Sequence, residues 1–162
     1  MKKHAQLLLV VTILSASFTQ AQNKPNMTQV LPESKPKKAV VYQVFTRLFG
    51  NKNTTNKPWG TIEENGVGKF NDFTDKALQE IKKLGVTHVW FTGVPHHDVI
   101  RDYTKYGISN DDPDVVKGRA GSPYAVKDYY NVNPDLAVNP AKRLQEFEAL
   151  IKRTHANGLK VI

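Results

Sequence analysis

The chain contains no cysteine among its 162 residues. Disulfide bonds, zinc–thiolate sites and thiol nucleophiles are therefore excluded, and metal binding or covalent chemistry would need oxygen or imidazole groups. Glycine-rich phosphate-binding motifs and nucleophile elbows are also absent. Glycine (10) and proline (9) are too few for a collagenous or low-complexity chain, and a hydrophobic content of 40% is typical of a globular protein.

Acidic residues are fewer than basic ones, 15 against 23, so the formal net charge is +8. The basic residues are scattered along the chain. Their one tight run, Lys35, Lys37 and Lys38, lies in a proline-containing stretch. Scattered charge of this kind does not indicate a nucleic-acid surface, and we expect no nucleic-acid partner.

The first 21 residues have the organisation of a secretory signal peptide. A positively charged start at Lys2 and Lys3 precedes an apolar run over residues 7–14, and the small residues Thr19 and Ala21 suit a cleavage site. The apolar run is well short of the roughly 20 residues that span a bilayer. We predict cleavage after Ala21, export to the periplasm or the medium, and no membrane anchor in the mature chain.

Residues 22–38 are rich in Asn, Lys, Pro and Ser, which predicts a disordered leader. The composition changes at Ala39. Residues 39–45 form a continuous run of β-branched and aromatic side chains, and such a run predicts a buried parallel strand. A long polar loop over residues 50–68 follows it.

The next segment has helical periodicity. Asn71 or Asp72 can cap its start, and Gly85 ends it. Residues 86–92 then predict a second buried strand, so the unit is βαβ with parallel strands. The apolar stripe of the helix consists of Phe70, Phe73, Ala77, Leu78, Ile81 and Leu84.

Residues 96–139 are predicted to be mostly irregular, and so long a loop is usually functional or disordered. A second helix is predicted after Asn139-Pro140 and ends at Asn157-Gly158. Its buried stripe consists of Leu144, Phe147, Leu150, Ile151 and Thr154. Residues 159–162 begin a third strand.

The order strand, helix, strand, helix, strand is typical of an α/β fold. It fits either the first units of a (β/α)8 barrel or part of an open doubly wound sheet. A closed barrel takes about 250 residues. The sequence stops within an apolar run, without a turn, a cap or a charged tail, so we expect either a truncated barrel or a small open sheet.

Four segments, in this order and spacing, resemble the opening of the alpha-amylase family of glycoside hydrolases. They are residues 41–45, 84–91, 121–134 and 155–162. The resemblance covers roughly residues 39–162, and only about the first third of a catalytic barrel of this family. It implies that residues 39–162 are the amino-terminal portion of such a (β/α)8 barrel, incomplete in this chain.

The resemblance also implies retaining cleavage of α-glucosidic bonds in starch-like polymers. That chemistry uses an Asp nucleophile and a Glu acid/base about 5–5.5 Å apart, with a second Asp that binds substrate. In the family these carboxylates follow the fourth, fifth and seventh strands, which places them beyond Ile162. We therefore expect no catalytic residue in this chain.

One substrate-binding residue follows from the resemblance. Tyr124 stands four positions before Asp128 of the Asp-Tyr-Tyr motif, and the equivalent family tyrosine lies against the sugar ring at the cleavage point. The apolar face of a pyranose packs well on an aromatic ring. From the residues alone, Tyr124 could equally be a turn or core tyrosine. We expect Asp128 to order this loop by hydrogen bonding, and Tyr129 and Tyr130 to be packing residues.

The resemblance raises the question of a metal, because some relatives bind structural calcium after the first strand, at positions like Asn51, Asn53 and Asn56. Calcium takes about six to eight oxygen ligands with some negative charge. Here Asn51 stands where an Asp is expected, and Lys69 stands where relatives often have Asp. We predict that Lys69 fills this place by hydrogen bonding, or else that the turn is simply solvated. We assign no metal ligand, and calcium in a full-length enzyme is left open.

His96 and His97 are adjacent on a segment predicted to be irregular, so their side chains would point in different directions. We expect no metal site there.

Two functions from different classes remain. In the first, the chain is part of an exported monomeric hydrolase of alpha-amylase type that acts on starch, maltodextrin or a related α-glucan. In the second, it is a secreted α/β module without catalysis that binds sugar weakly through Tyr124. Within the family, a transglycosylase or an isomerase is a further alternative.

Overall fold

The computed structural model describes residues 38–162. The predicted signal peptide and residues 22–37 of the predicted leader lie outside the described residues and stay predictions. Among residues 38–162, no helix is long and apolar enough to cross a membrane. The five strands, in chain order, are β1 (Val41–Phe45), β2 (His88–Thr92), β3 (Pro95–His97), β4 (Val126–Val132) and β5 (Lys160–Val161).

Three α-helices connect these strands: α1 (Ile62–Asn65), α2 (Asp75–Lys83) and α3 (Arg143–Ala156). Short 3₁₀ turns lie at Phe70–Asp72, Thr104–Tyr106, Pro134–Leu136 and Pro140–Lys142. The predicted helix after residue 70 is therefore two elements, a 3₁₀ turn and α2. Thr74 caps α2 by accepting a 3.2 Å hydrogen bond from the backbone N–H of Ala77. The predicted cap at Asn71 or Asp72 is wrong, because both residues lie inside the 3₁₀ turn.

The main sheet is parallel and has the spatial order β1-β2-β5. Both connections contain a helix, as the βαβ prediction required. Since parallel partners share a face, β1 and β2 present one set of side chains to the helices and the other set away from them. Tyr42, Val44, Val89 and Phe91 lie on the helix-covered face, where they belong to the core or pack against it.

Aromatic side chains build much of this core. Phe73 stacks on Phe49, with ring centroids 4.1 Å apart, and meets Phe91 edge-on at 4.9 Å. The guanidinium of Arg153 on α3 donates to the backbone carbonyls of Phe73 at 2.6 Å and of Phe70 at 2.9 Å. These bonds tie α3 to the segment that precedes α2, so both helices cover the same face of the sheet.

The opposite face of the sheet is open in the described residues. Val41, Phe45 and Trp90 lie on it, and each is exposed. The prediction of a fully buried first strand is therefore wrong, since only Val44 of β1 is buried. The reason is that the helices cover one face alone, whereas parallel sheets normally bury both.

The segment predicted as irregular contains a second, two-stranded sheet. Strands β3 and β4 pair antiparallel, with His96 opposite Asp128 and His97 opposite Val126, and the register shifts on both sides of His96. These bulges interrupt the alternation that would signal a strand. Strand β3 follows β2 directly in the chain. The second sheet therefore belongs to the loop region at the carboxyl ends of β1 and β2.

The α/β class and the predicted order of strands and helices are confirmed. The described residues correspond to the first β/α units of the predicted barrel, and their sheet is open, not closed.

Candidate functional site

A cleft of about 1010 Å³ lies at the carboxyl ends of β1 and β2. Its floor is polar: the side-chain amide of Gln43 on β1 donates a 3.0 Å hydrogen bond to the hydroxyl of Thr92 on β2. Three aromatic rings also line the cleft. One of them belongs to Tyr124, which is 79% exposed. The lining residues are Gln43, Phe45, Trp59, Thr92, Lys117, Gly118, Gly121, Ser122, Pro123 and Tyr124.

Tyr124 is held in the cleft wall by a tight turn. The backbone N–H of Ala125 donates to the carbonyl of Ser122 at 3.0 Å, and the Ser122 hydroxyl accepts from the backbone N–H of Tyr124 at 3.3 Å. The turn begins at Gly121, which has a left-handed φ of +71°. A Cβ on Gly121 would lie 1.7 Å from the carbonyl oxygen of Asp98, so the turn needs glycine to approach the residue after β3 this closely.

His97 contacts the residue that precedes this turn. This buried ring contacts the carbonyl oxygen of Pro95 through Nδ1 and that of Ala120 through Nε2, each at 3.2 Å. Its neighbour His96 is also buried, and its Nε2 has no hydrogen-bond partner within residues 38–162. Burial lowers the pKa of His96, and the positive charge of Lys127 acts in the same direction. Among residues 38–162, no group of three His, Cys, Asp or Glu side chains is arranged to hold a metal ion.

A buried charge network links the loop after β1 to the loop after β4. Asp135, 3% exposed, accepts a 2.7 Å hydrogen bond from Arg47 and a second from the hydroxyl of Tyr103. Burial raises the pKa of Tyr103, as does the neighbouring carboxylate, so the phenol stays protonated and donates. Asp135 is not among the predicted site residues; its one signal in the sequence is a charged residue within an otherwise apolar 3₁₀ turn.

Lys69 makes hydrogen bonds to the segment that carries Asp135; that it fills the calcium position of some relatives stays a prediction. Its ammonium donates to the backbone carbonyls of Asp135 and, at 3.1 Å, of Ala137. Burial lowers the pKa of Lys69, and the charge of Asp135 opposes that effect. The ammonium therefore lies against the loop after β4.

Asn51 and Asn53 in the asparagine-rich loop are held by hydrogen bonds to their own segment and to α1. The side-chain oxygen of Asn51 accepts from the backbone N–H of Asn53 at 3.1 Å, and that of Asn53 accepts from Thr55 at 2.9 Å. Their amide nitrogens donate to the carbonyls of Asn65 and Glu64, at 3.0 and 2.7 Å. Each amide oxygen therefore already accepts one hydrogen bond, and neither side chain carries the negative charge that calcium sites favour.

Other predicted residues are placed differently from expectation. Asp128 accepts a 2.9 Å hydrogen bond from the backbone N–H of Tyr130 within β4, and not from the loop that carries Tyr124. Tyr129 and Tyr130 are not packed in the described structure, since both are exposed and Tyr130 is 96% accessible. Neither ring is covered by another side chain among residues 38–162.

Trp59 also lines the cleft, although it lies in a segment predicted only as a polar loop. It occupies the third position of a turn closed by a 2.9 Å hydrogen bond from the backbone N–H of Gly60 to the carbonyl of Lys57. Its φ of +56° is unusual for a bulky residue. The one available sequence signal is a tryptophan placed between Pro58 and Gly60.

Comparison with known proteins gives the following relatives. A cyclomaltodextrin glucanotransferase of Niallia circulans is 25% identical over 174 residues, which covers 100% of this chain and 22% of the relative. An oligo-1,6-glucosidase of Heyndrickxia coagulans is 25% identical over 126 residues, covering 78% of this chain and 16% of the relative. The crystal structure of an alpha-amylase from Lactobacillus plantarum aligns with a TM-score of 0.46 and 30% identity, over 76% of this chain and 21% of that one. No family model matches the chain.

The resemblance predicted from four short segments is confirmed over most of the chain by these sequence relatives. The chain spans about a fifth of the length of the curated relatives it matches. The alignment with the Niallia circulans relative covers the whole of this chain, so it includes Tyr124 and the other residues that line the cleft.

Proposed function

We propose that residues 39–162 of this chain, which resembles alpha-amylase family enzymes along most of its length, form the amino-terminal portion of the catalytic barrel of an α-glucan-acting glycoside hydrolase. The observation that carries the proposal is the cleft at the carboxyl ends of β1 and β2, with Tyr124 exposed in its wall. Barrel enzymes place their active sites at this end of the strands.

The lining of the cleft suits a sugar. The ring of Tyr124 offers a flat apolar surface for the C–H face of a glucosyl unit. Gln43 and Thr92 offer amide and hydroxyl groups to sugar hydroxyls on the floor. In this proposal Tyr124 binds and orients the sugar next to the bond that is cleaved.

The reacting carboxylates are proposed to come from residues beyond Ile162. Among the described residues that line the cleft, none is an Asp or a Glu. In a retaining reaction one ionised carboxylate attacks the anomeric carbon while a protonated one donates its proton to the leaving oxygen, and water then releases the sugar. The exposed apolar face of β1 and β2 supports further β/α units, because it lacks the cover that a parallel sheet requires.

Further parts of the proposal rest on the sequence. Residues 1–21 direct export to the periplasm or the medium, and the mature protein is a monomer without a membrane anchor. No step is proposed to use calcium, because the asparagine loop is closed by its own hydrogen bonds.

The test uses the natural full-length protein with maltoheptaose as substrate, and follows new reducing ends with time. We expect cleavage, and we expect Tyr124→Ala to lower kcat/KM while the melting temperature stays within a few degrees. Tyr130→Ala is the matched control, because it removes an exposed tyrosine that does not line the cleft.

Absence of cleavage together with weak maltoheptaose binding would favour the non-catalytic sugar-binding module. Equal kcat/KM in the Tyr124→Ala and Tyr130→Ala variants would remove Tyr124 from the site. One relative is named a cyclomaltodextrin glucanotransferase and another an oligo-1,6-glucosidase. The products are therefore also separated by length. Products longer than maltoheptaose would assign transfer in place of hydrolysis.

A further inference from the structure

We propose that Trp59 is a second aromatic platform in the same cleft, which stacks on a glucosyl unit of the substrate other than the one held by Tyr124. This inference rests on the proposed function and adds a binding residue to it. Three observations carry it: the backbone of Trp59, the contacts that hold its turn, and the exposure of its indole.

The backbone of Trp59 is strained. Its turn has proline at the second position and a positive φ of +56° at the third, where glycine is the favoured residue. Adopting this conformation costs an L-residue free energy, whereas it costs glycine almost none. A strained residue persists only where the surrounding structure holds it, and such residues concentrate at functional sites.

The turn is held from outside by α1. The side-chain oxygen of Asn65 accepts from the backbone N–H of Lys57 at 2.7 Å, and its amide nitrogen donates back to the Lys57 carbonyl at 2.9 Å. The Lys57 ammonium also pairs with Glu64. A Cβ on Gly60 would lie 2.5 Å from the Asn65 amide, so the turn is pressed against that side chain. These contacts fix the direction in which Trp59 projects.

The indole itself contributes little to the core. It is 67% exposed and is absent from the packed clusters, yet it lines the cleft beside Phe45 and Tyr124. A large aromatic ring held in a strained, exposed position in a sugar cleft is best explained by a ligand that covers it. An indole presents a wider flat surface than a phenol, and a pyranose C–H face packs on such a surface.

The test uses the natural full-length protein and three variants. Trp59→Gly removes the ring and relieves the strain; Trp59→Phe keeps a smaller ring; Asn56→Gly is the matched control. Asn56 is the other non-glycine residue with positive φ in this loop, so glycine there relieves the smaller strain of an asparagine without loss of a ring. The measurements are the melting temperature and the Kd for maltoheptaose by calorimetry.

We expect Trp59→Gly to weaken maltoheptaose binding about tenfold, which follows from losing an apolar contact the size of one sugar face. We expect its melting temperature not to fall, because the strain is removed. Trp59→Phe keeps most of the affinity, and Asn56→Gly keeps all of it.

An unchanged Kd in Trp59→Gly, with a wild type that binds maltoheptaose, would overturn this inference and leave the proposed function standing. A lower melting temperature with unchanged affinity would assign the indole to packing and would also overturn it. A wild type that neither binds nor cleaves maltoheptaose would overturn the proposed function, and this inference with it.

Discussion

The Gly121→Ala substitution probes the link between β3 and the turn that carries Tyr124. The new methyl group would lie 1.7 Å from the carbonyl oxygen of Asp98, and ordinary contact begins near 3.4 Å, so the turn must move away by more than an ångström. That movement breaks the 3.4 Å hydrogen bond from the backbone N–H of Asp98 to the carbonyl of Ala125. It also shifts Tyr124 relative to the cleft floor.

The expected loss of unfolding free energy has two parts. A left-handed φ costs an L-residue about 1–2 kcal/mol. Inserting a methyl group into a closed contact costs about 1–3 kcal/mol more. The matched control is Gly107→Ala, since Gly107 has a similar φ of +74° and no atom within 4 Å of its added Cβ. That variant should show only the first part.

The assay is urea unfolding of the natural full-length protein, combined with kcat/KM on maltoheptaose. We expect Gly121→Ala to lose about 1–3 kcal/mol more than Gly107→Ala, the contact part alone. We also expect it to lose activity at temperatures where it is fully folded, because Tyr124 is displaced. Equal losses of stability in the two variants would refute the argument from close approach.

Three further predictions concern the rest of the structure. Asp135→Asn leaves the half-buried Arg47 without a charged partner and should cost about 2–3 kcal/mol of unfolding free energy. Glu80→Gln, in an exposed pair with Lys83, should cost less than about 0.5 kcal/mol. Similar costs of the two variants in urea unfolding would contradict the network. Burial lowers the pKa of His96 below its ordinary 6.5, so the unfolded chain takes up a proton first as pH falls, and the stability is full above pH 6.5 and declines below it. His96→Phe should flatten that decline in thermal melts between about pH 6.5 and 5. An unchanged slope would exclude His96 as the cause of the decline. Residues 22–162 expressed alone should aggregate, because the sheet face carrying Val41, Phe45 and Trp90 is uncovered; a soluble product with a sharp cooperative melt would be the contrary result.

The elements of the main sheet could be predicted from the sequence because their signals are local. Continuous β-branched and aromatic runs predicted β1 and β2, and Gly85 and Gly158 marked the ends of the two long helices. Periodicity was less reliable at the ends. Leu84 continues the apolar spacing of α2 but is 69% exposed, because the helix ends at Lys83.

The second sheet and the buried network could not be predicted in the same way. Strand β3 is only three residues long, begins with proline and contains two histidines, so it lacks a strand pattern. Asp135 meets Arg47 across 88 positions of sequence and Tyr103 across 32, and no local rule predicts such pairs. The exposure of Trp59 in the cleft likewise depends on a turn that Asn65 holds from α1.

The site was predictable only through the resemblance. The residues around Tyr124 alone allowed a turn or core tyrosine, and the structure places its ring at 79% exposure in a cleft whose floor is Gln43 and Thr92.

The most direct test of the account is proton NMR of the natural full-length protein during its first turnovers of maltoheptaose, which resolves the anomeric form of the new reducing end. The account predicts cleavage with the α-anomer formed first, since two displacements at the anomeric carbon retain its configuration. First formation of the β-anomer, or no cleavage at all, would contradict it.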